Sequence, residues 1–205
     1  MGRLSDVDRP VYNAGMTPHD SLEKPTLPAR DRILLTAHSL FYRDGIRATG
    51  IDRVIAESGV AKVTFYRHFP SKNELVREYL DYRHQHWMAW FVDALQRHGG
   101  GARAIVPALV EWFSDTDFRG CAFINSVGEL GGVMPEVIEI TQRHKQEMTA
   151  VIANLLPPSR QRTKDAQAVA MAIDGAIIRA QFDQAPEAAL GALDRILMSL
   201  LAVKQ

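Results

Sequence analysis

Several things are scarce in this sequence, and each scarcity excludes a class of protein. One cysteine, Cys121, stands in 205 residues, so no disulfide framework can form within the chain and a reducing compartment is expected. A lone cysteine of this kind reads as a small packing residue. No apolar run reaches the roughly 20 residues that span a bilayer. The N-terminus lacks the basic-then-apolar pattern of a secretory signal. These absences lead us to expect a cytoplasmic protein with no membrane partner. No His, Cys, Asp or Glu set has metal-ligand spacing, and neither a nucleophile motif nor a phosphate-binding glycine loop occurs. No metal, cofactor or catalytic residue is therefore expected. Strand-like alternation is also missing, while glycines and prolines fall between segments of helical period.

Charge of one sign is scarce overall but not locally. Lys and Arg balance Asp and Glu at 24 each. Residues 24–72 nevertheless hold nine Lys/Arg against four Asp/Glu, whereas residues 73–205 hold thirteen against sixteen. A basic segment on a mildly acidic body suits a local polyanion site. Hydrophobic residues make up 46% of the chain, enough for a globular core.

Residues 1–25, with Pro10, Pro18 and Pro25 and few large apolar side chains, are expected to form a flexible arm. A first helix is expected from about Pro28 to Asp44, with Ile33, Ala37, Leu40 and Phe41 on one stripe and Gly45 ending it. A short second helix follows, with Thr49 as its cap and Ile51, Val54 and Ile55 facing inward; Ser58-Gly59 breaks it. A third spans about Ala61 to Phe69 and stops at Pro70. Ser71 and Glu74 then form an S-x-x-E capping box for a long fourth helix. Three helices in under fifty residues, with a glycine turn between the second and third, make a helix-turn-helix unit whose third helix would enter the major groove.

The third helix has two faces. Ala61, Phe65 and Phe69 recur every four residues and are expected to pack inward with Val60. Lys62, Val63, Thr64, Tyr66, Arg67 and His68 are left outside. Lysine and arginine neutralise phosphates or reach guanine edges, hydroxyls donate to phosphates, and valine or threonine methyls meet the thymine methyl. Lys72 adds charge where backbone N–H groups at a helix start already favour an anion.

The stretch GVAKVTFYRHFPSKNEL, residues 59–75, resembles the recognition-helix signature of the TetR/AcrR family of bacterial transcriptional regulators. The similarity reaches back through Ala29–Leu34, Ala37, Leu40-Phe41, Gly45, Thr49 and Ile51 to Gly59, about fifty residues in all. The resemblance implies an all-α protein with an N-terminal three-helix DNA-binding domain, residues 26–72, and a C-terminal helical ligand-binding and dimerisation domain, residues 73–205. It implies phosphate contacts from Thr64, Tyr66, His68 and Lys72, base-edge contacts from Lys62, Val63 and Arg67, and a place for Thr49 in the same DNA-binding set. At Val63 the chain departs from the family pattern, where many members carry glycine.

Beyond Ser71, helices are expected to about Arg97 and then over roughly 102–114, 119–131, 135–156, 163–183 and 187–203. Arg119–Leu130, RGCAFINSVGEL, resembles a segment found in some sensor domains of the same family. A sensor needs an apolar cavity with a few polar groups. Trp87, Met88, Phe91, Trp112, Phe113, Phe123 and Met134 are candidate walls, with Asn125, Glu129 or Arg179 as polar contacts. The last two helices are rich in small residues: Ala166, Ala168, Ala170, Ala172, Gly175, Ala176 and Ala180, then Ala188, Ala189, Gly191 and Ala192. They are the expected homodimer interface. The expected function is a dimeric, ligand-responsive repressor of a palindromic operator, released by a small apolar or amphipathic effector. Two alternatives are a helical small-molecule-binding enzyme and a protein-interaction module; both leave the outward face of the third helix unexplained.

Overall fold

The computed structural model describes residues 27–183 and 186–202, and every regular element among them is helical. The expected N-terminal arm, residues 1–25, lies outside the described residues. In chain order the helices are α1 (Ala29–Asp44), α2 (Ile51–Ser58), α3 (Lys62–His68), α4 (Lys72–Arg97), α5 (Ile105–Phe113), α6 (Ala122–Leu130), α7 (Pro135–Leu155), α8 (Arg162–Phe182) and α9 (Glu187–Ala202). Among the described residues no helix is long and apolar enough to cross a membrane.

Local chemistry explains the boundaries. Gly59 closes α2 in the left-handed conformation, φ +63°, which a side chain would strain. Ser71 caps α4, its hydroxyl accepting from the Glu74 amide at 3.1 Å, while the Glu74 carboxylate pairs with Arg77. Thr49 does not cap α2. Gly50 holds that position, and the Thr49 hydroxyl turns back to donate to the Gly45 carbonyl at 2.8 Å. Ala61 is the exposed N-cap of α3 rather than part of its inward stripe. The helix expected over 119–131 begins only at Ala122, because the Arg119 carbonyl is taken by side chains, Asn125 and Gln181, instead of by the next turn.

The 26 residues of α4, about 39 Å at 1.5 Å per residue, are the spine. Leu75, Val76, Tyr79 and Leu80 at its N-terminal half are buried and join the core that Ile33, Ala37, Leu40 and Phe41 of α1 enter. Trp87, Trp90, Phe91, Ala94 and Leu95 at its other half are buried with residues of α5, α6 and α7. One continuous apolar cluster thus runs from α1 to α9. The α8 and α9 helices pack on each other at the far side, and α9 also meets α5.

Candidate nucleic-acid interface and its linkage to an inner cavity

The outward face of α3 is built by burying its opposite side. Phe65 is fully buried and Phe69 nearly so. Their rings lie 6.2 Å apart, and the Arg30 guanidinium sits 5.4 Å from the Phe69 ring. With that stripe held in the core, helical geometry sends Lys62, Val63, Tyr66, Arg67 and His68 to solvent. Val63 is 68% exposed and Tyr66 42%. A valine and a phenol held in water at the centre of a basic surface leave apolar area free for a partner. Thr64 is only half-buried, at the edge of this face.

The charged members differ in how free they are. Lys62 pairs with Asp52 of α2 at 3.0 Å, and that hydrogen bond raises its pKa. Arg67 makes no ion pair with a described residue. Lys72, half-buried at the start of α4, has its pKa lowered by burial, with the nearby Glu129 charge opposing the shift. Thr49, expected among the DNA-contacting residues, is completely buried. Its hydroxyl braces the α1–α2 loop from within, so the residue supports the unit without facing a ligand.

Two contacts join this unit to α6 and the loop before it. The Glu129 carboxylate accepts from the backbone N–H groups of Ile46 at 3.2 Å and Arg47 at 2.7 Å. Gly45 makes room for that approach: its φ is +90°, and a Cβ there would lie 3.3 Å from a Glu129 oxygen. The second contact is Tyr42 of α1, whose hydroxyl donates to the Gly120 carbonyl at 2.9 Å and accepts from the Arg119 amide at 3.0 Å. Burial raises the Tyr42 pKa. Glu129 was expected to orient a ligand; instead it grips the loop between α1 and α2.

Beside Arg83, whose guanidinium lies over the Tyr42 ring, is an aromatic cavity of about 10 Å³, lined among others by Arg83, Trp87, Trp112, Cys121, Phe123 and His144. That volume suffices for about one water molecule. Three of the expected wall residues, Trp87, Trp112 and Phe123, therefore meet. Phe91 stacks behind Trp87 at 4.7 Å, and Phe113 packs on Phe118 at 4.9 Å. Met88 is half-buried and Met134 buried, and neither lines the cavity. Two expected polar contacts lie elsewhere. Asn125 and Gln181 brace the Arg119 carbonyl and each other. Arg179 points out along α8 to Asp183 at 3.0 Å.

Sequence reasoning passed over Arg83 and His144. Arg83 stands four residues after Tyr79 and four before Trp87, on the buried stripe of α4, and that position was the available signal. Its side chain is 1% exposed, with its guanidinium 3.7 Å from the Tyr42 ring centre and 3.3 Å from His38 Nε2. His144 stacks on Phe123 at 3.7 Å; burial, aided by Lys145, His84 and Arg83, lowers its pKa to about 2. Among the described residues no three of His, Cys, Asp or Glu could hold a metal ion.

A helix-turn-helix unit with a basic outward helix, fused to a helical body with an inner cavity, defines a helical DNA-binding regulator. Residues 33–79 match the family model for bacterial regulatory proteins of the tetR family. The chain is similar to SCO4454, a TetR-family transcriptional regulator from Streptomyces coelicolor, at 29% identity over 85% of this chain and 94% of that one, with a TM-score of 0.74. It is also 42% identical over 55 residues to YxaF of Bacillus subtilis, an HTH-type transcriptional regulator; the match spans 26% of this chain and 29% of that relative. An HTH-type regulator of Lactococcus lactis is 22% identical over 73% of this chain and 81% of its own length. Residues 33–79 thus carry the DNA-binding segment of the tetR family of bacterial regulatory proteins, and the fold of the whole chain is that of a TetR-family transcriptional regulator.

Proposed function

We propose that this protein is a homodimeric repressor that binds a palindromic operator through α3 and releases it when a small molecule enters the C-terminal helices. The observation carrying this reading is the outward face of α3, where Lys62, Val63, Tyr66, Arg67 and His68 stand exposed over a core-locked Phe65. Arg67 and Lys62 are assigned to base edges along with Val63. Tyr66, His68, Lys72 and the half-buried Thr64 are assigned to phosphates. Reading the chain as an enzyme or a protein-interaction module leaves that face unexplained.

A dimer is supported by an exposed apolar stripe on the last two helices that no described residue covers. Met171, Gly175, Ile178 and Phe182 follow one another at helical spacing on α8 and are exposed, Met171 by 76% and Phe182 by 63%. Ala188, Ala192 and Ile196 do the same on α9. The small residues of the expected interface divide: Ala166, Ala170, Ala176 and Ala189 are buried within the chain, while Ala168, Gly175, Gly191 and Ala192 face out. Two copies joined here would present two α3 helices to successive major grooves, roughly 34 Å apart.

Release would run through α6. Ala122 and Phe123 at its start line the cavity, and Glu129 near its end holds the Ile46 and Arg47 amides. A ligand that widens the cavity must move one of its walls, and a shift of α6 acts on both ends of that helix. A hundredfold preference for the widened conformer would shift the equilibrium by about 2.7 kcal/mol. Selection of sites from random duplex DNA, at about 150 mM salt to damp non-specific attraction, tests the reading. An inverted repeat with half-sites about one helical turn apart is expected; enrichment of no sequence by folded, ligand-free protein would sink it.

A further inference from the structure

We propose that the inner cavity is built for a small aromatic carboxylate, with Arg83 as its anchor and with the same guanidinium serving, in the ligand-free protein, as a latch on α1. This deepens the regulator reading and rests on it for its consequence at the operator.

The cavity has donors without acceptors. Arg83 Nη2, Trp87 Nε1 and Trp112 Nε1 are all buried with no hydrogen-bond partner among the described residues, and all three residues line the same cavity. Buried N–H groups are nearly always satisfied, and the third tryptophan conforms, Trp90 donating to Glu111 at 3.2 Å. An unmet donor costs more than a bond never made. Three unmet donors around one void therefore point to an absent acceptor.

The acceptor should be an anion. A buried guanidinium is normally matched by a carboxylate, yet no described acid pairs with Arg83. Its neighbours are the Tyr42 ring and His38. Burial, with help from Arg83 itself, holds His38 well below its usual range, so the imidazole offers no charge. His144 is neutral likewise, and Lys145, the other nearby cation, is engaged by Asp174 at 2.5 Å. Arg83 is thus the one charge in the lining, and among the described residues no carboxylate pairs with it.

The body of the ligand follows from the walls. Trp87, Trp112 and Phe123 supply flat apolar faces, so the partner is an aromatic ring bearing the carboxylate, not a bare inorganic ion. The present volume holds about one water, so the acid binds a widened conformer that is minor in its absence. A second hollow of about 90 Å³, lined by His38, Ser39, Tyr42, Arg43, Asp117 and Arg119, shares with the inner cavity the His38–Tyr42 layer that contacts Arg83. An acid entering from there would draw the guanidinium off Tyr42 and His38, which are both residues of α1.

The test uses the full-length protein labelled with 5-fluorotryptophan and two matched pairs, benzoate with benzamide and 1-naphthoate with 1-naphthamide, followed by fluorine NMR and thermal shift. At least one carboxylate should bind about tenfold or more tighter than its amide, the factor given by one charge-assisted hydrogen bond. The resonances of Trp87 and Trp112 should move and that of Trp90 should not. Arg83→Lys should keep part of the preference for the acid, and Arg83→Met should abolish it. Equal binding within each pair, binding of neither, a response to chloride alone, or movement confined to Trp90 would overturn the proposal. Gel shift on the selected operator separates the two readings. Operator binding without carboxylate binding removes this inference alone, and carboxylate binding without any selected operator removes the regulator reading alone.

Discussion

Arg67 and Arg83 are the same side chain in opposite settings. Arg67 stands in water on α3, where its charge costs little to keep. Arg83 is shut inside the aromatic body with one nitrogen unpartnered, where desolvation makes a charge expensive. The same contrast separates the two regions. The outward surface of α3 is almost independent of folding energy, because its stability comes from Phe65 and Phe69 on the other side of the helix. The cavity is inseparable from folding energy, because its functional groups are also core.

The contrast can be tested by substitution, beginning with the largest effect. Phe65→Ala should lose about 3–5 kcal/mol of unfolding free energy in urea, the usual cost of deleting a fully buried phenylalanine. A much smaller loss would mean that α3 is held by something other than this ring. Arg67→Ala should leave urea stability within about 0.5 kcal/mol while weakening binding to the selected operator by about 1–3 kcal/mol and relaxing preference at one base pair. If stability fell as far as for Phe65→Ala, the two faces of α3 would not be separable.

Acid should strike the body and spare the surface. The pKa of His144 is lowered to about 2 from 6.5 by burial, by Lys145 and by its neighbours His84 and Arg83, so the unfolded chain takes up a proton that the folded one refuses. Stability is therefore full above about pH 6.5 and falls as the pH drops below that value. The loss reaches about 2 kcal/mol for this group by pH 5. Urea titrations across that range, on wild type and His144→Phe, should show the variant with the shallower pH slope; parallel slopes would place the acid sensitivity elsewhere. Glu129→Gln should cost about 1–2 kcal/mol through its weakened grip on the Ile46 and Arg47 amides. Hydrogen exchange at those two amides should speed up, and unchanged protection would break the linkage between α6 and the α1–α2 loop. Lys72→Ala should have the smallest effect, lowering operator affinity equally across sequences and reducing the salt-dependence slope by about 1. An unchanged slope would remove Lys72 from the phosphate contacts.

Sequence periodicity made the helices, their order and the outward set on α3 legible, because those depend on neighbours within a few residues. Spacing of three and four puts Phe65 and Phe69 on one side and Val63, Arg67 and Tyr66 on another, and Gly59 and Ser71 mark helix ends by their own backbone and side-chain chemistry. What it misjudged depends on residues far apart in the chain. Thr49 looked like a cap and a DNA contact until the fold buried it. Glu129 and Arg179 looked like ligand contacts until α6 met the loop after α1 and α8 turned its arginine to solvent.

Where α6 starts was hidden for a similar reason, since Gln181 reaches across 62 positions to occupy the Arg119 carbonyl. Arg83 was the least visible of all. A lone arginine between Tyr79 and Trp87 has an ordinary meaning on a helix surface, and only the closing of α1, α6 and α7 around it turns it into a buried charge with no counter-ion among the described residues. Local sequence determined which residues the outward face of α3 presents, because one short helix supplies both its buried anchor and its exposed side chains. Tertiary structure decided what the interior can hold, because burial, and the missing partners that give burial its cost, are properties of several helices at once.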